Sequence, residues 1–508
     1  MDTIIVLDFG GQYCHLISRR IKDLGVYAKV LPSNTKYENL KKISNLKGIV
    51  LSGGASSVYD ENSPKPEKNI LNIRVPILGI CYGHQLIAYL EGGKVESGNS
   101  GEYGITKLQI SNRSKLLFGL NKLEYVWMNH KDIVKRLPAG YKVIASTLNS
   151  PIAAFENEKK MIYGVQFHPE VTHTSNGSRI LENFVLNICG AKKEWKTTNV
   201  IKNISNEIRQ KIGKRKAIIA LSGGVDSSTA AILVNKVIGK NLIAVYVDTG
   251  LMRYKETEFI KNEFSKYNLN LKIIRAKDRF FNALKGIVNP EEKRKIIGKL
   301  FIDIFNDVAK KEKADVLIQG TIYSDRIESG ITPNSSIIKS HHNVGGLPKN
   351  MNLEVYEPLK DLYKDEVRNI SRSLGLPKSI TERHVFPGPG FAIRIVGEVT
   401  PEKVNIVRKA SYIIKEELKK ANLYDKVWMA FAVLLSIKSV GIQGDARSYK
   451  YPIVVRIIES KDAMTANFAK IPYEILERIS TRITNEINEV NRVVYDISNK
   501  PPATMEWE

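Results

Sequence analysis

The sequence predicts an α/β chain of two doubly wound, mostly parallel α/β domains followed by a smaller α+β domain. Three observations lead there. The length of 508 residues exceeds what one hydrophobic core organises. Short β-branched runs alternate with amphipathic stretches over most of the chain. Beyond a Pro/Gly-rich stretch at 384–390 the pattern changes. In order, residues 3–8 read as a strand, 12–24 as an amphipathic stretch, 48–52 as a strand, and 76–80 as a strand leading into a helix over 85–91. The polar, Lys-rich stretch 191–199 lacks apolar periodicity and marks a boundary. A second series follows: a strand at 216–221, a helix at 225–238 with Ala230, Ala231, Val234, Val237 and Ile238 on one side, and strands at 242–247, 271–275 and 316–319. After Pro401 come a long helix, strands near 428–437 and 451–458, and a helix from Tyr473. The expected domains are therefore 1–192, 193–384 and 385–508.

Hydrophobic residues make up 43% and charged residues 26%, with 35 Gly and 19 Pro, which excludes collagenous and disordered classes. No run approaches the roughly 20 apolar residues that cross a bilayer. Asp2 and Asp8 flank a strand-like N-terminus, so no leader is expected and the cytoplasm is the expected compartment. The three cysteines, Cys14, Cys81 and Cys189, are too few for a disulfide framework or a Cys-based zinc site. The net charge of +24 is the footprint of nucleic-acid binders, but it is dispersed over pairs such as Lys41-Lys42 and Lys419-Lys420. A dispersed excess reads as a solvated surface, and phosphorylated small substrates equally favour a basic cleft; no nucleic-acid partner is expected.

Cys81 lies between Gly79 and Gly83 where a strand turns abruptly into a helix. Small residues on both sides are what a nucleophile elbow needs, and the helix N-terminus then faces the sulfur, stabilising a thiolate and an oxyanion. A buried cysteine in a turn has the same local sequence, so a partner base decides. His168 supplies one: read as the end of a strand stopped by Pro169, with Glu170 two residues on, it pairs a base with its orienting carboxylate. These residues, with Ser52, Gly53 and Gly54 upstream, resemble the class I glutamine amidotransferases. The resemblance implies that Cys81 attacks the glutamine side-chain amide, His168 shuttles the proton and Glu170 orients His168. It also implies that Gly54 and Tyr82 form the oxyanion hole and that Gln85 lies beside the substrate.

A second strand-to-helix turn carries Ser222, Gly223, Gly224, Val225, Asp226, Ser227 and Ser228. Glycines let the backbone approach an anion, three serines offer hydroxyls, and the helix N-terminus presents free N–H groups. No Lys follows the glycines, which argues against a Walker A loop. The motif resembles the ATP pyrophosphatases, which cleave ATP between the α and β phosphates and activate a carbonyl oxygen as an adenylate. Asp226 is the expected Mg²⁺ ligand, because a hard cation bridging phosphates requires carboxylate oxygen. Asp248 and Thr249 are expected to flank the adenosine.

Lys339, His341 and His342 lie in a basic, Gly-ended stretch suited to a phosphate lid, and Lys360 with Asp361 adds further charge. Together with the motifs at Phe386–Gly390, at Gln443 and at the C-terminus, the chain resembles, end to end, the glutamine-hydrolysing GMP synthetase family. That resemblance implies ATP, glutamine and XMP as substrates, Mg²⁺ with the ATP, and a homodimer through residues 385–508. Arg294, Gly388, Pro389, Gly390, Gln443, Arg492, Lys500, Thr504 and Glu506 are then the XMP candidates, with Lys500 and Arg492 at the 5′-phosphate. The Pro501-Pro502 pair and Trp507 favour a docked tail over a frayed one.

Four positions depart from the family pattern. Ala55 stands where Pro is usual, and Asn129 and Lys131 stand where Ser and Gly are usual, around His130 and Asp132. His84 occupies a position where Met is common and is not expected to be catalytic. A rival reading rests on Gly441 and Gly444, which spell the GXXG of a KH loop. Such loops join two helices, whereas these residues lie between predicted strands.

Overall fold

The computed structural model describes residues 1–323, 325, 353–460 and 465–508. These fall into two compact units that meet in sequence between Val200 and Ile201. Among the described residues no helix is long and apolar enough to cross a membrane.

Nine strands of the first unit form one sheet: β1 (Thr3–Asp8), β2 (Tyr27–Pro32), β3 (Leu46–Leu51), β4 (Ile77–Ile80), β5 (Lys94–Ile110), β6 (Leu123–Arg136), β7 (Lys142–Ser146), β8 (Ala154–Asn157) and β9 (Ile162–Val165). Their order is β2-β1-β3-β4-β9-β8-β7-β5-β6, parallel from β2 to β9 and antiparallel beyond. The parallel strands read as continuous apolar runs because both faces are covered. Ile4, Val6, Val50 and Leu78 pack into one cluster with Ile17 and Ile21 of the helix Cys14–Asp23. Ile5, Leu7, Ile49 and Ile77 pack into another with Leu86 and Ile87 of the helix Tyr82–Leu90. Two helices on opposite faces make the doubly wound arrangement expected. The long hairpin of β5 and β6 had no counterpart in the sequence reading.

The second unit holds a parallel sheet of β10 (Ala217–Ala220), β11 (Leu242–Asp248), β12 (Asn270–Arg275), β13 (Val316–Ile318) and β14 (Glu354–Tyr356), ordered β12-β11-β10-β13-β14. It also holds a mixed sheet of β15 (Ile395–Val396), β16 (Met429–Leu435), β17 (Ser439–Gln443), β18 (Ala446–Glu459), β19 (Asn467–Phe468) and β20 (Val490–Tyr495). β18 is the hub: it pairs antiparallel with β16, β17 and β19 and parallel with β20. One hydrophobic cluster runs from Ile218 and Val245 through Phe391 and Ile414 to Ile453 and Ile479, so the two sheets share a continuous core. Long helices start where the sequence offers Pro at the first turn behind a capping side chain. Asn289 accepts from the amides of Glu291 and Glu292, and Thr400 from that of Lys403.

Gly441 and Gly444 fall in and just after β17, whose hairpin partner is β18. No helix flanks the motif, and the KH reading fails on this geometry.

Candidate active sites

The first site is assembled at the carboxyl ends of β1, β3 and β4 and just past β9. Cys81 follows β4 and caps the helix Tyr82–Leu90 with φ 54° and ψ −105°, a conformation that costs a side-chain-bearing residue on the order of 1–3 kcal/mol. The flanking glycines are sterically required. A Cβ on Gly79 would lie 2.4 Å from the Gly83 carbonyl oxygen, and one on Gly83 would lie 2.3 Å from that of Leu51. The Cys81 amide donates to Val165 (2.8 Å) and the Gly83 amide to Ser52 (3.1 Å), which pins the elbow to β9 and to the end of β3.

His168 is three residues beyond β9, which ends at Val165 rather than at the histidine itself. Backbone bonding continues past the strand: the Gln166 amide donates to Ala153 (2.8 Å) and the His168 amide to Trp127 (3.0 Å). His168 Nδ1 is 2.7 Å from Glu170 Oε1, which orients the ring, and the Thr174 hydroxyl donates to the His168 carbonyl, which anchors the backbone. Burial works against a charged imidazole, but the Glu170 carboxylate and then Cys81 outweigh it and hold the His168 pKa well above its usual value. Cys81, His168 and Glu170 are 6%, 4% and 1% exposed, so their charges interact with little solvent screening. Gly53 lies beside both residues, where a Cβ would meet His168 Cε1 at 3.2 Å and Cys81 Cβ at 3.7 Å. Gly54 lies against Tyr82, whose Cγ is 3.2 Å from the position of its absent Cβ.

The elbow's other wall was read from the sequence only in part, through Gln85 and the departures around His130 and Asp132. Gln85 Nε2 donates to the Asp132 carbonyl (2.8 Å) and to Gln166 Oε1 (3.2 Å). The Asn129 carbonyl lies 3.8 Å from Cys81 Sγ. The Asp132 carboxylate accepts from Ser57 and Tyr59, and His130 pairs with Glu102. These residues come from β5, β6 and the segment after β3, far apart in sequence. His84, by contrast, is wholly buried against Phe155 with neither ring nitrogen hydrogen-bonded, and burial pushes its pKa down to about 3. It packs as a neutral ring.

The second site lies between β10 and the helix Val225–Ile238. Gly223 has φ 76°, and a Cβ there would lie 2.6 Å from Ile260. Ser222 and Ser227 hydroxyls bond each other at 2.9 Å, the Gly224 amide donates to Ser222, and Ser228 donates to the Gly224 carbonyl at 2.7 Å. Gly320, after β13, packs beneath the loop, where a Cβ would be 3.0 Å from the Ser227 nitrogen. Asp226 pairs through Oδ2 with Lys364, while its Oδ1 is buried without a hydrogen-bond partner. Asp248 accepts from the Gly250 amide and the Thr257 hydroxyl. Among the described residues no group of three or more His, Cys, Asp or Glu is arranged around a metal position. One carboxylate with a free buried oxygen does fit a cation carried in on a polyphosphate. Lys360 and Asp361 lie in the turn before the helix Lys364–Ser373. Lys339, His341 and His342 lie outside the described residues.

The remaining candidates form two groups. Gly388 and Pro389 lead into the short helix Gly390–Arg394, and Gly390 sits so close to Leu251 that a Cβ would be 2.4 Å from its carbonyl oxygen. Arg394 holds both oxygens of Glu506 at 2.9 and 2.7 Å. Arg294 donates to the Glu508 backbone, Lys293 pairs with the Glu508 side chain, and Trp507 donates to Asp496. Lys500 exchanges backbone bonds with Ala466, and Thr504 bonds the Glu506 carbonyl. The tail is docked rather than frayed. Gln443 and Arg492 form the other group, bonding respectively to the Val490 and Val440 carbonyls across β17 and β20.

Residues 5–188 match the class-I glutamine amidotransferase family, 197–296 the NAD synthase family and 416–507 the GMP synthase C-terminal domain. Full-length similarity is also extensive. A glutamine-hydrolysing GMP synthase of Caldicellulosiruptor saccharolyticus is 51% identical over 511 residues, covering 100% of this chain and 99% of the relative. Another of that name from Caldanaerobacter subterraneus is 51% identical with the same coverage, and one from Aquifex aeolicus is 50% identical over 99% of each chain.

Proposed function

The chain belongs to the glutamine-hydrolysing GMP synthases, and from that premise we propose that it amidates XMP to GMP with ATP and glutamine. Glutamine and water give glutamate and ammonia in the first unit. In the second, ATP adenylates the C2 oxygen of XMP, releasing pyrophosphate, and ammonia displaces AMP.

The observation that carries this reading is the constrained elbow at Cys81 facing a His168 already paired with Glu170. Cys81 is the proposed nucleophile. His168 takes its proton and returns it to the departing ammonia, and Glu170 keeps the ring oriented and stabilises its charge. The backbone amides of Gly54 and Tyr82 are the proposed oxyanion donors, which their mutual packing supports. Ser222 to Ser228 would cradle the pyrophosphate, their hydroxyls exchanging bonds with one another for bonds to oxygen anions. Asp226 would hold Mg²⁺ through its free Oδ1, and the ion would neutralise charge on the leaving pyrophosphate. Lys364 pairs with that carboxylate through Oδ2 and holds it in place. Arg294, Gly388, Pro389, Gly390, Gln443, Arg492, Lys500, Thr504 and Glu506 are the proposed XMP contacts. Since Arg394 occupies both oxygens of Glu506, a nucleotide donor there must share or displace that pair.

A cytoplasmic site of action is proposed from the substrates, and the three cysteines are free thiols. Dimerisation is proposed through the mixed sheet, where edge strand β17 and its partner β18 expose Val440, Ile442 and Tyr449, with Ile437 just before them. Sedimentation at micromolar concentration should give twice the chain mass; a monomer removes that part. For the reaction itself, amide-¹⁵N glutamine supplied with XMP, ATP and Mg²⁺ should place ¹⁵N in the exocyclic amine of guanine. Unlabelled GMP, or none, would refute the scheme.

A further inference from the structure

Gln166 is fully buried, lies two residues before His168 and directs its carboxamide Nε2 at Cys81 Sγ, 3.7 Å away. The direction of that amide is imposed from outside. The Asp132 carbonyl can only accept, so Gln85 must turn its Nε2 toward it, at 2.8 Å. The second hydrogen of the same nitrogen then meets Gln166 Oε1 at 3.2 Å. With its oxygen claimed, Gln166 can present only N–H to the sulfur. The Asp132 carbonyl is itself held by His130 Nδ1 at 3.0 Å, while His130 Nε2 lies 3.2 Å from Glu102 Oε2 and Thr147 donates to the same carboxylate. Burial opposes ionisation of Glu102, yet the His130 and Thr147 hydrogen bonds bring its pKa below the usual carboxylate value, which favours a charged anchor at the far end of the chain.

Two groups besides His168 therefore bear on the sulfur, and they act in opposite senses. The Asn129 carbonyl at 3.8 Å can accept from a thiol and repels a thiolate. The Gln166 amide attracts a thiolate and gains strength as charge develops. Nearest the sulfur the charged groups are His168, with Glu170 behind it; Glu102 lies at the far end of the relay, and the Asp132 carboxylate is bonded to Ser57 and Tyr59.

We propose that Gln166 is a further catalytic residue of the glutamine-hydrolysing site: its fixed N–H stabilises the Cys81 thiolate before attack and when the thioester is cleaved. The relay from Gln85 through Asp132 and His130 to Glu102 sets its orientation. The assignment rests on Cys81 as nucleophile and deepens that reading.

The test compares Gln166→Glu, of the same shape but with an acceptor toward the sulfur, and Gln166→Leu, which removes the donor without adding charge. Glutaminase kcat and KM are measured together with the rate at which iodoacetamide alkylates Cys81 as a function of pH, located by peptide mass spectrometry. The expectation for Gln166→Glu is a kcat lower by about a hundredfold with KM within about threefold, and an alkylation profile displaced to higher pH. Gln166→Leu should lose about tenfold in kcat and shift the profile in the same direction by less. If the glutamate variant does not fold, the leucine variant carries the test alone. An unmoved alkylation profile, or a rise in KM without loss of kcat, would overturn the proposal. Glutamine hydrolysis retained in Cys81→Ala would instead overturn the nucleophile assignment, and the role of Gln166 with it.

Discussion

The two candidate sites use the same local device, a strand turning through glycines into a helix N-terminus, and finish it in opposite ways. Around Cys81 the side chains proposed to react, and those that hold them, are buried and already bonded: His168 to Glu170, Gln166 to Gln85, Gln85 to the Asp132 carbonyl. In the second site Ser222 and Gly224 are exposed, the Ser222 and Ser227 hydroxyls bond each other, Ser227 and Ser228 bond the Gly224 carbonyl, and Asp226 retains an unpartnered oxygen. A site whose protein groups break and form covalent bonds must have its proton inventory settled in advance. A site that acts by gripping phosphate needs donors that can change partners, because the charge arrives with the ligand.

That contrast can be broken by experiment. The largest effect expected is for Cys81→Ala, which should lower glutamine-dependent synthesis by about 10⁴-fold or more while synthesis from added ammonium salts continues. Joint loss of both activities would mean that the sites do not divide the chemistry. Next in size is Asp226→Ala, for which XMP-dependent pyrophosphate release should fall by about a hundredfold or more while glutaminase persists, since the donors of the first site lie elsewhere. Pyrophosphate release at the parent rate would remove Asp226 from the reaction. A smaller effect sharpens the difference in preorganisation. His84 has an unfolded pKa near 6.5 and, folded, about 3, so the unfolded chain binds the extra proton between these values. Its contribution to stability is complete above about pH 6.5 and is lost as pH falls toward 3, by at most about 1.4 kcal/mol per pH unit. His84→Met should flatten the acid limb of the first unit's unfolding curve in calorimetry. An unchanged limb would show that the ring is not held neutral.

The legible parts of both sites were those written in a few adjacent residues. Gly79, Cys81 and Gly83 announce their turn because no Cβ fits at either glycine, and residues 222–228 announce theirs for similar reasons. The helix at 225–238 was read with its observed bounds because its apolar positions and glycine cap are local. Contacts closed by topology were not legible. Glu102, Asn129, His130 and Asp132 reach the elbow only through the β5–β6 hairpin, whose alternation is broken because Glu102, Glu124 and His130 are buried while Tyr103, Ile105, Leu123 and Tyr125 are exposed. Gln166 stood in plain sight beside His168. What sets its direction is Gln85, 81 residues earlier in sequence. The mixed sheet was half read, since β17 and β20 are short and partly exposed and lack a clean apolar run.

The backbone at Cys81 carries one more consequence, for how damage spreads through a population of variants. Glycine tolerates the left-handed angles that cysteine is forced to adopt there. Cys81→Gly should consequently pass any selection that reads only abundance or heat resistance, while a nutritional selection for guanine nucleotides discards it. At this position, persistence of the polypeptide and survival of the organism are scored by different judges.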